Sequence, residues 1–208
     1  MPKLTISHYV ERTKVLGPYE RSALWVSGCC FSCEGCMAAF SDNIVTETEA
    51  LSLAERLSEI DDAEGVTISG GEPFLQSEPL AEFIERIKEK RDYGAILYTG
   101  FTYEELTARG KNEPEIAKLL GMIDILIDGP YIASLDDGKA YRGSSNQRIM
   151  QLSGRYSRVF DEYYSSPKRR TEINFTRRAT FLVGVPSKDG LAAWEEMRKT
   201  RGYLKHVK

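Results

Sequence analysis

Three cysteines within eight positions, Cys29, Cys33 and Cys36, constrain this chain more than any other feature. They lie in the run Ser27-Gly28-Cys29-Cys30-Phe31-Ser32-Cys33-Glu34-Gly35-Cys36, so the fold must carry one short loop whose thiols converge on a point. Thiolates suit iron–sulfur clusters and zinc. A cubane [4Fe-4S] cluster has four irons, and three protein sulfurs leave one of them open to a cofactor. Ferredoxin-type clusters mostly use four cysteines, and closed zinc sites add a fourth Cys or a His. Here the only other cysteine is Cys30, directly after Cys29, and the only histidines, His8 and His206, stand near opposite ends of the chain. A closed zinc site using His8 is the alternative, although the spacing matches no common zinc pattern. A plain buried-thiol or disulfide reading is disfavoured by the crowding, since four cysteines so close together cannot staple distant parts of a fold.

The pattern along the chain alternates strand and helix, as a parallel sheet with crossover helices requires. Strands are expected over residues 4–10 and 23–26, the second feeding the cysteine loop. A helix is expected over 46–60, with Thr46 as N-cap, Glu49 three residues on, and Ala50, Leu53, Ala54 and Leu57 at helical spacing. Then come a strand over 65–68, an amphipathic helix over 80–91 showing Phe83, Ile84 and Ile87, and a strand over 95–98. A helix carries Glu104, Leu106 and Ala108, and another spans 113–120 with Pro114 in its first turn. A buried strand over 123–127 stops at Asp128-Gly129-Pro130.

Several motifs fall just after expected strand ends, where α/β folds gather their site loops. They are Ser69-Gly70-Gly71-Glu72-Pro73, Tyr98-Thr99-Gly100-Phe101-Thr102, Asp128-Gly129-Pro130-Tyr131 and Arg142-Gly143-Ser144-Ser145-Asn146-Gln147-Arg148. With the cysteine loop, their order and spacing resemble the radical S-adenosylmethionine (SAM) superfamily, and within it the activating proteins of anaerobic ribonucleotide reductase. The resemblance covers roughly residues 20–150, and several motifs in register make a stronger signal than any one alone. It implies a partial open (β/α) barrel over residues 1–150, a [4Fe-4S] cluster on Cys29, Cys33 and Cys36, and SAM on its fourth iron. It also implies that Gly70, Gly71 and Glu72 bind the methionine amino group, and that Thr99 bonds the ribose or carboxylate of SAM. Asp128 would orient a loop or cap a backbone amide. Asn146 and Arg148 would contact a carboxylate or a partner chain, and Arg142 and Arg148 would pair with acidic groups by two-pronged bonds. Many members carry an aromatic before the third cysteine, where this chain has Gly35, a departure shared with the activase subgroup.

The activity implied is reductive cleavage of SAM to a 5′-deoxyadenosyl radical, with an external donor such as flavodoxin or ferredoxin and a glycyl radical enzyme as partner. Scarcity of histidine fits, because no acid–base pair is required. The simplest activases end soon after the Ser-Ser-Asn-Gln-Arg segment, whereas this chain continues through residues 151–208. That segment reads as a folded α+β extension, with strands over 173–175 and 179–185 and a final helix showing Leu191, Trp194 and Met197. A second reading, direct modification of a peptide, nucleotide or small molecule enclosed by the extension, therefore stays open.

Charge separates the two parts. Residues 1–150 hold 15 Lys and Arg against 25 Asp and Glu, and residues 151–208 hold 13 against 6, giving net −10 and +7. Such asymmetry fits docking of an acidic protein partner, or mutual neutralisation within the monomer. Tyrosines interleaved with arginines in the extension form no known nucleic-acid motif, so nucleic acid is disfavoured. No apolar stretch nears the length of a membrane span, the N-terminus lacks the core of a secretory signal, and a thiolate cluster suits a reducing compartment, so a cytoplasmic location is expected.

Overall fold

The structure, a computed structural model, describes residues 2–39, 45–165, 168–175 and 180–200. The strands are β1 (Lys3–Thr13), β2 (Arg21–Val26), β3 (Thr46–Glu49), β4 (Gly65–Gly70), β5 (Gly94–Tyr98), β6 (Ile125–Asp128), β7 (Arg148–Gln151), β8 (Thr171–Phe175) and β9 (Thr180–Gly184). The α-helices are α1 (Ala50–Ser58), α2 (Ser77–Lys90), α3 (Tyr103–Arg109), α4 (Pro114–Leu120), α5 (Phe160–Tyr164) and α6 (Lys188–Thr200). Seven strands form one sheet in the order β3-β1-β2-β4-β5-β6-β7, and β8 and β9 pair as a separate hairpin. Neighbours β2, β4, β5 and β6 run parallel, and β1, β3 and β7 join antiparallel at the margins. The molecule is thus a mixed α/β protein with a mostly parallel centre.

Period-2 burial divides the central strands between two faces. Leu24, Val26, Val66, Ile68, Ala95, Leu97 and Leu126 meet the apolar stripes of α1 to α4, including Leu57, Phe83, Ile87, Leu106 and Leu119. Leu57 and Ile87 are fully buried, and truncating either to Ala would cost about 2–5 kcal/mol. The opposite face is covered largely by the chain beyond β7. Ala23 and Trp25 pack with Val15, Leu16 and Val183, while Ile96, Ile125 and Ile127 pack with Tyr156, Phe160 and Tyr164. The wholly buried Arg21 fastens this covering: it donates to Pro18 O (2.8 Å) and Tyr156 Oη (3.3 Å), and that phenol donates to Glu64 (2.6 Å).

One sequence expectation fails near the N-terminal end. Thr46 is not a helix N-cap, because Thr46–Glu49 pairs with the edge of β1 (Ile6↔Thr46, Lys3↔Glu49) and α1 starts only at Ala50. Alternating β-branched Thr and Glu suit an exposed edge strand, and the free hydrogen bonds of β1 decide the outcome. Strand β7 and helix α5 had no counterpart in the sequence reading. The final helix does form, with Trp194 buried, while residue 179 of the strand expected before it lies outside the described residues.

Candidate iron–sulfur site

β2 delivers the chain into the cysteine loop beside the end of β4, and the two backbones nearly touch. Gly71 N donates to Val26 O and Glu72 N to Gly28 O, both at 2.8 Å. A Cβ on Gly70 would lie 2.3 Å from Val26 O, and one on Gly71 would lie 2.1 Å from Gly28 O. Gly70 also sits at φ +106°, where L side chains are strained. Both glycines are therefore demanded by the approach of the Ser-Gly-Gly-Glu-Pro turn to the root of the loop. Gln76 clamps the same root, accepting from Thr5 N (2.8 Å) and donating to Thr5 O and Ser27 O (2.9 Å each).

Glu72 is buried to 1% exposure and binds three donors. Its Oε1 accepts from Phe74 N (2.9 Å) and the Thr99 hydroxyl (2.8 Å), and its Oε2 accepts from Gly100 N (2.8 Å). Burial pushes this carboxyl above its ordinary range, and the three donors pull it back. Thr99 Oγ1 in turn accepts from Phe101 N (3.1 Å). One carboxylate thus ties the turn after β4 to the turn after β5.

The cysteine loop rests on that second turn. A Cβ on Gly100 would meet the Phe31 ring at 2.6 Å, and Phe31 also packs edge-on against Phe101 with ring centres 4.9 Å apart. Arg109 stacks over Phe101 at 4.8 Å, held by a two-pronged bond to Glu113 (2.9 and 2.7 Å). Phe31 N donates to Cys29 Sγ at 3.4 Å, the kind of bond that tunes a ligating sulfur. Cys36 N closes a turn on Cys33 O (3.2 Å) across Gly35, which takes φ +69°. Cys29 and Cys30 are exposed, Cys33 and Cys36 half-buried, and none of the four forms a disulfide. Burial raises the Cys30 thiol, as does the charge of Glu72, against the pull of Arg109.

His8 takes no part in this loop. It is stacked between Trp25 (4.4 Å) and Phe181 (4.1 Å), and burial lowers its pKa to about 4. Among the described residues, no three His, Cys, Asp or Glu side chains are close enough to hold a single ion. The zinc alternative with His8 therefore does not hold. A donor set of three thiols on one loop, with glycine backbone beside it, fits a cluster larger than one ion.

The remaining motifs brace the rim. Asp128 accepts from Tyr103 N (2.8 Å), capping α3, and pairs with Arg148, which also reaches Glu104 (2.6 and 3.0 Å) and holds that carboxyl down at about 2. Gln147 donates to Gly129 O (2.9 Å), Asn146 to Pro130 O (2.7 Å), and Ser144 Oγ accepts from Ile132 N (3.1 Å). The Ser-Asn-Gln-Arg and Asp-Gly-Pro-Tyr segments are thus one hydrogen-bonded unit, and Arg142 pairs with Asp137 beside it. Phe31, Gln76 and Arg109 were missed from sequence. Gly100 was the one available signal, since a glycine after a strand often marks close approach, but nothing local names the approaching ring.

A family model described as a 4Fe-4S single cluster domain matches residues 15–150. The chain belongs to this 4Fe-4S single cluster family. It is 31% identical over 143 residues to the anaerobic ribonucleoside-triphosphate reductase-activating protein of Enterobacteria phage T4, covering 65% of this chain and 86% of that protein. The proteins of the same name from Haemophilus influenzae (31% identity, 68% and 94%) and Vibrio cholerae (32%, 67% and 92%) match similarly. The family match ends at residue 150, so most of the chain that covers the second face of the sheet lies beyond it. Among the described residues no helix is long and apolar enough to cross a membrane.

Proposed function

We propose that this chain is a radical SAM activase: Cys29, Cys33 and Cys36 would hold a [4Fe-4S] cluster at which SAM is reductively cleaved, so that the chain activates a glycyl radical enzyme, an anaerobic ribonucleotide reductase. The observation that carries the proposal is the Glu72 brace, which locks the glycine turn and the end of β5 against the loop holding all three thiols. When bound, the cluster and SAM supply one-electron reductive cleavage of the sulfonium bond and hydrogen-atom abstraction. The chain's own residues bind and orient. The three cysteines would hold the iron, and the Phe31 N–H donates to the Cys29 sulfur. Gly70 and Gly71, by letting the turn close on Val26 and Gly28, would set its backbone beside the loop to receive the amino-acid end of SAM. Glu72, held by Phe74 N, the Thr99 hydroxyl and Gly100 N, fixes the turn that would receive the SAM ammonium. Thr99 acts likewise through Glu72. Chemistry of this kind belongs in a reducing cytoplasm, with a flavodoxin- or ferredoxin-type donor. The domain reading is a core over 1–150 with 151–208 packed on it.

The test is anaerobic. The protein is reconstituted with iron and sulfide, reduced with dithionite, and assayed with SAM for 5′-deoxyadenosine and for a glycyl radical on added reductase. Both should form with the parent chain and neither with Cys33→Ala; absence of cleavage in the reconstituted parent defeats the proposal.

A further inference from the structure

The β8–β9 hairpin lies wholly outside the matched segment, and its two faces differ. Residues directly opposite in an antiparallel pair share a face. Glu172↔Val183 and Asn174↔Phe181 face inward, where Val183 and Phe181 join the cluster around Trp25 and Glu172 accepts from the Thr13 hydroxyl (2.7 Å). Ile173↔Leu182 and Phe175↔Thr180 face outward. Phe175 is 72% exposed, the highest of the large apolar side chains among the described residues, and Ile173 is 43% exposed. An outward apolar face on a hairpin whose inner face is already satisfied is surface that folding does not require.

Both flanks of the hairpin are tied to the cysteine loop. Phe181 stacks on His8 and His8 on Trp25, one residue before the end of β2, from which the loop leaves. At the other flank Arg169, two residues before β8, donates to Arg142 O (2.9 Å) and Gly143 O (3.0 Å). Gly143 packs so tightly on Met37, the residue after Cys36, that a Cβ there would lie 3.0 Å from its methyl. The hairpin is therefore anchored, through its inner face and through Arg169, to elements that lead into and out of the cysteine loop. The surrounding sequence is basic: residues 151–208 carry net +7, and the four residues joining the strands, outside the described residues, include Arg177 and Arg178.

We infer that the outward face of this hairpin, Ile173, Phe175 and Leu182, is the docking surface for the protein that receives the radical, through an apolar patch on that protein bordered by carboxylates. The inference rests on the activase reading, which supplies a macromolecular acceptor. Apolar contact supplies the hold, and the basic surroundings steer the encounter, so binding weakens as salt rises.

The experiment measures the affinity of purified anaerobic ribonucleotide reductase from the same source for the reconstituted chain, by biolayer interferometry under anaerobic conditions. The parent is compared with Phe175→Glu, the double variant Ile173→Ser/Phe175→Ser, and Phe175→Leu. Cluster absorbance and reductase-independent 5′-deoxyadenosine formation are followed in parallel. Expected is a loss of binding of about tenfold or more in the first two, near-parental binding in Phe175→Leu, and unchanged cluster absorbance throughout. Substitution-sensitive binding without a glycyl radical would uphold the surface and defeat the activase reading. Equal binding by parent and variants would overturn the surface while leaving that reading intact. A parent chain that does not bind the reductase overturns the inference.

Discussion

Replacing Glu72 by Gln keeps the shape of the brace and changes one group. The amide oxygen at the Oε1 position still accepts from Phe74 N and the Thr99 hydroxyl, but an NH2 now faces the Gly100 N–H that was 2.8 Å from Oε2. Two donors then meet in a site 1% exposed, and an orphaned buried donor costs about 1–3 kcal/mol. Thr99→Val removes the hydroxyl that links Glu72 to Phe101 N and falls in the same range. Because the two side chains share one network, the double variant should lose less than the sum, with a coupling of about 1–2 kcal/mol. Urea denaturation of the metal-free protein at fixed pH gives all four corners of the cycle. The folded chain holds the Glu72 proton more tightly than the unfolded one, so parental stability falls as pH rises from the ordinary carboxyl range through the raised value. Glu72→Gln lacks that slope, and the gap between the two proteins narrows over the same range. Additivity within about 0.5 kcal/mol, with parallel pH profiles, would show that the carboxylate is not the tie between the two turns.

Gly100→Ala drives a methyl into the Phe31 ring and should displace the cysteine loop, lowering iron bound after reconstitution; Phe31→Leu in the same chain should restore part of it. Gly70→Ala, strained in φ and 2.3 Å from Val26 O, should lower the urea midpoint of the metal-free protein, with a loss of about 3 kcal/mol or more. Arg148→Met leaves the 1% exposed Asp128 with the Tyr103 N–H and no cation, costing about 3 kcal/mol by the same assay. His8 is depressed to about 4, so its neutral form stabilises the fold above its ordinary pKa, and that contribution, about 3 kcal/mol, is lost as pH falls from 6.5 towards 4. His8→Phe should flatten that part of the stability–pH curve.

What the sequence disclosed was whatever is written in neighbouring residues. Apolar spacing in Leu53-Ala54-Leu57 and Phe83-Ile84-Ile87 marked two helices, and the β-rich runs before Cys29 and Gly70 marked two strands of the parallel centre. The glycine pair Gly70-Gly71 pointed to a close backbone approach, and the structure shows what approaches. Long-range pairing was not legible. Thr46–Glu49 is a strand only because β1 offers an edge, and Arg148–Gln151 only because β6 does. Asn146, expected to contact a carboxylate or a partner chain, donates instead to Pro130 O, and Gln147 to Gly129 O, 16 and 18 residues earlier. His8 was the histidine a disfavoured zinc alternative would have used; two aromatic rings from distant parts of the chain make it a stacked core residue.

The Phe31 contact with Gly100 has a thermodynamic corollary. Cys29 is two residues from a ring seated on the turn that Glu72 fixes, so ordering either side restricts the other. On the proposed reading, metal loading and SAM binding would be linked functions: whatever factor occupancy of the thiols added to affinity at the glycine turn, occupancy of the turn would return to the metal. A chain built this way would resist losing its iron most when the second ligand is present.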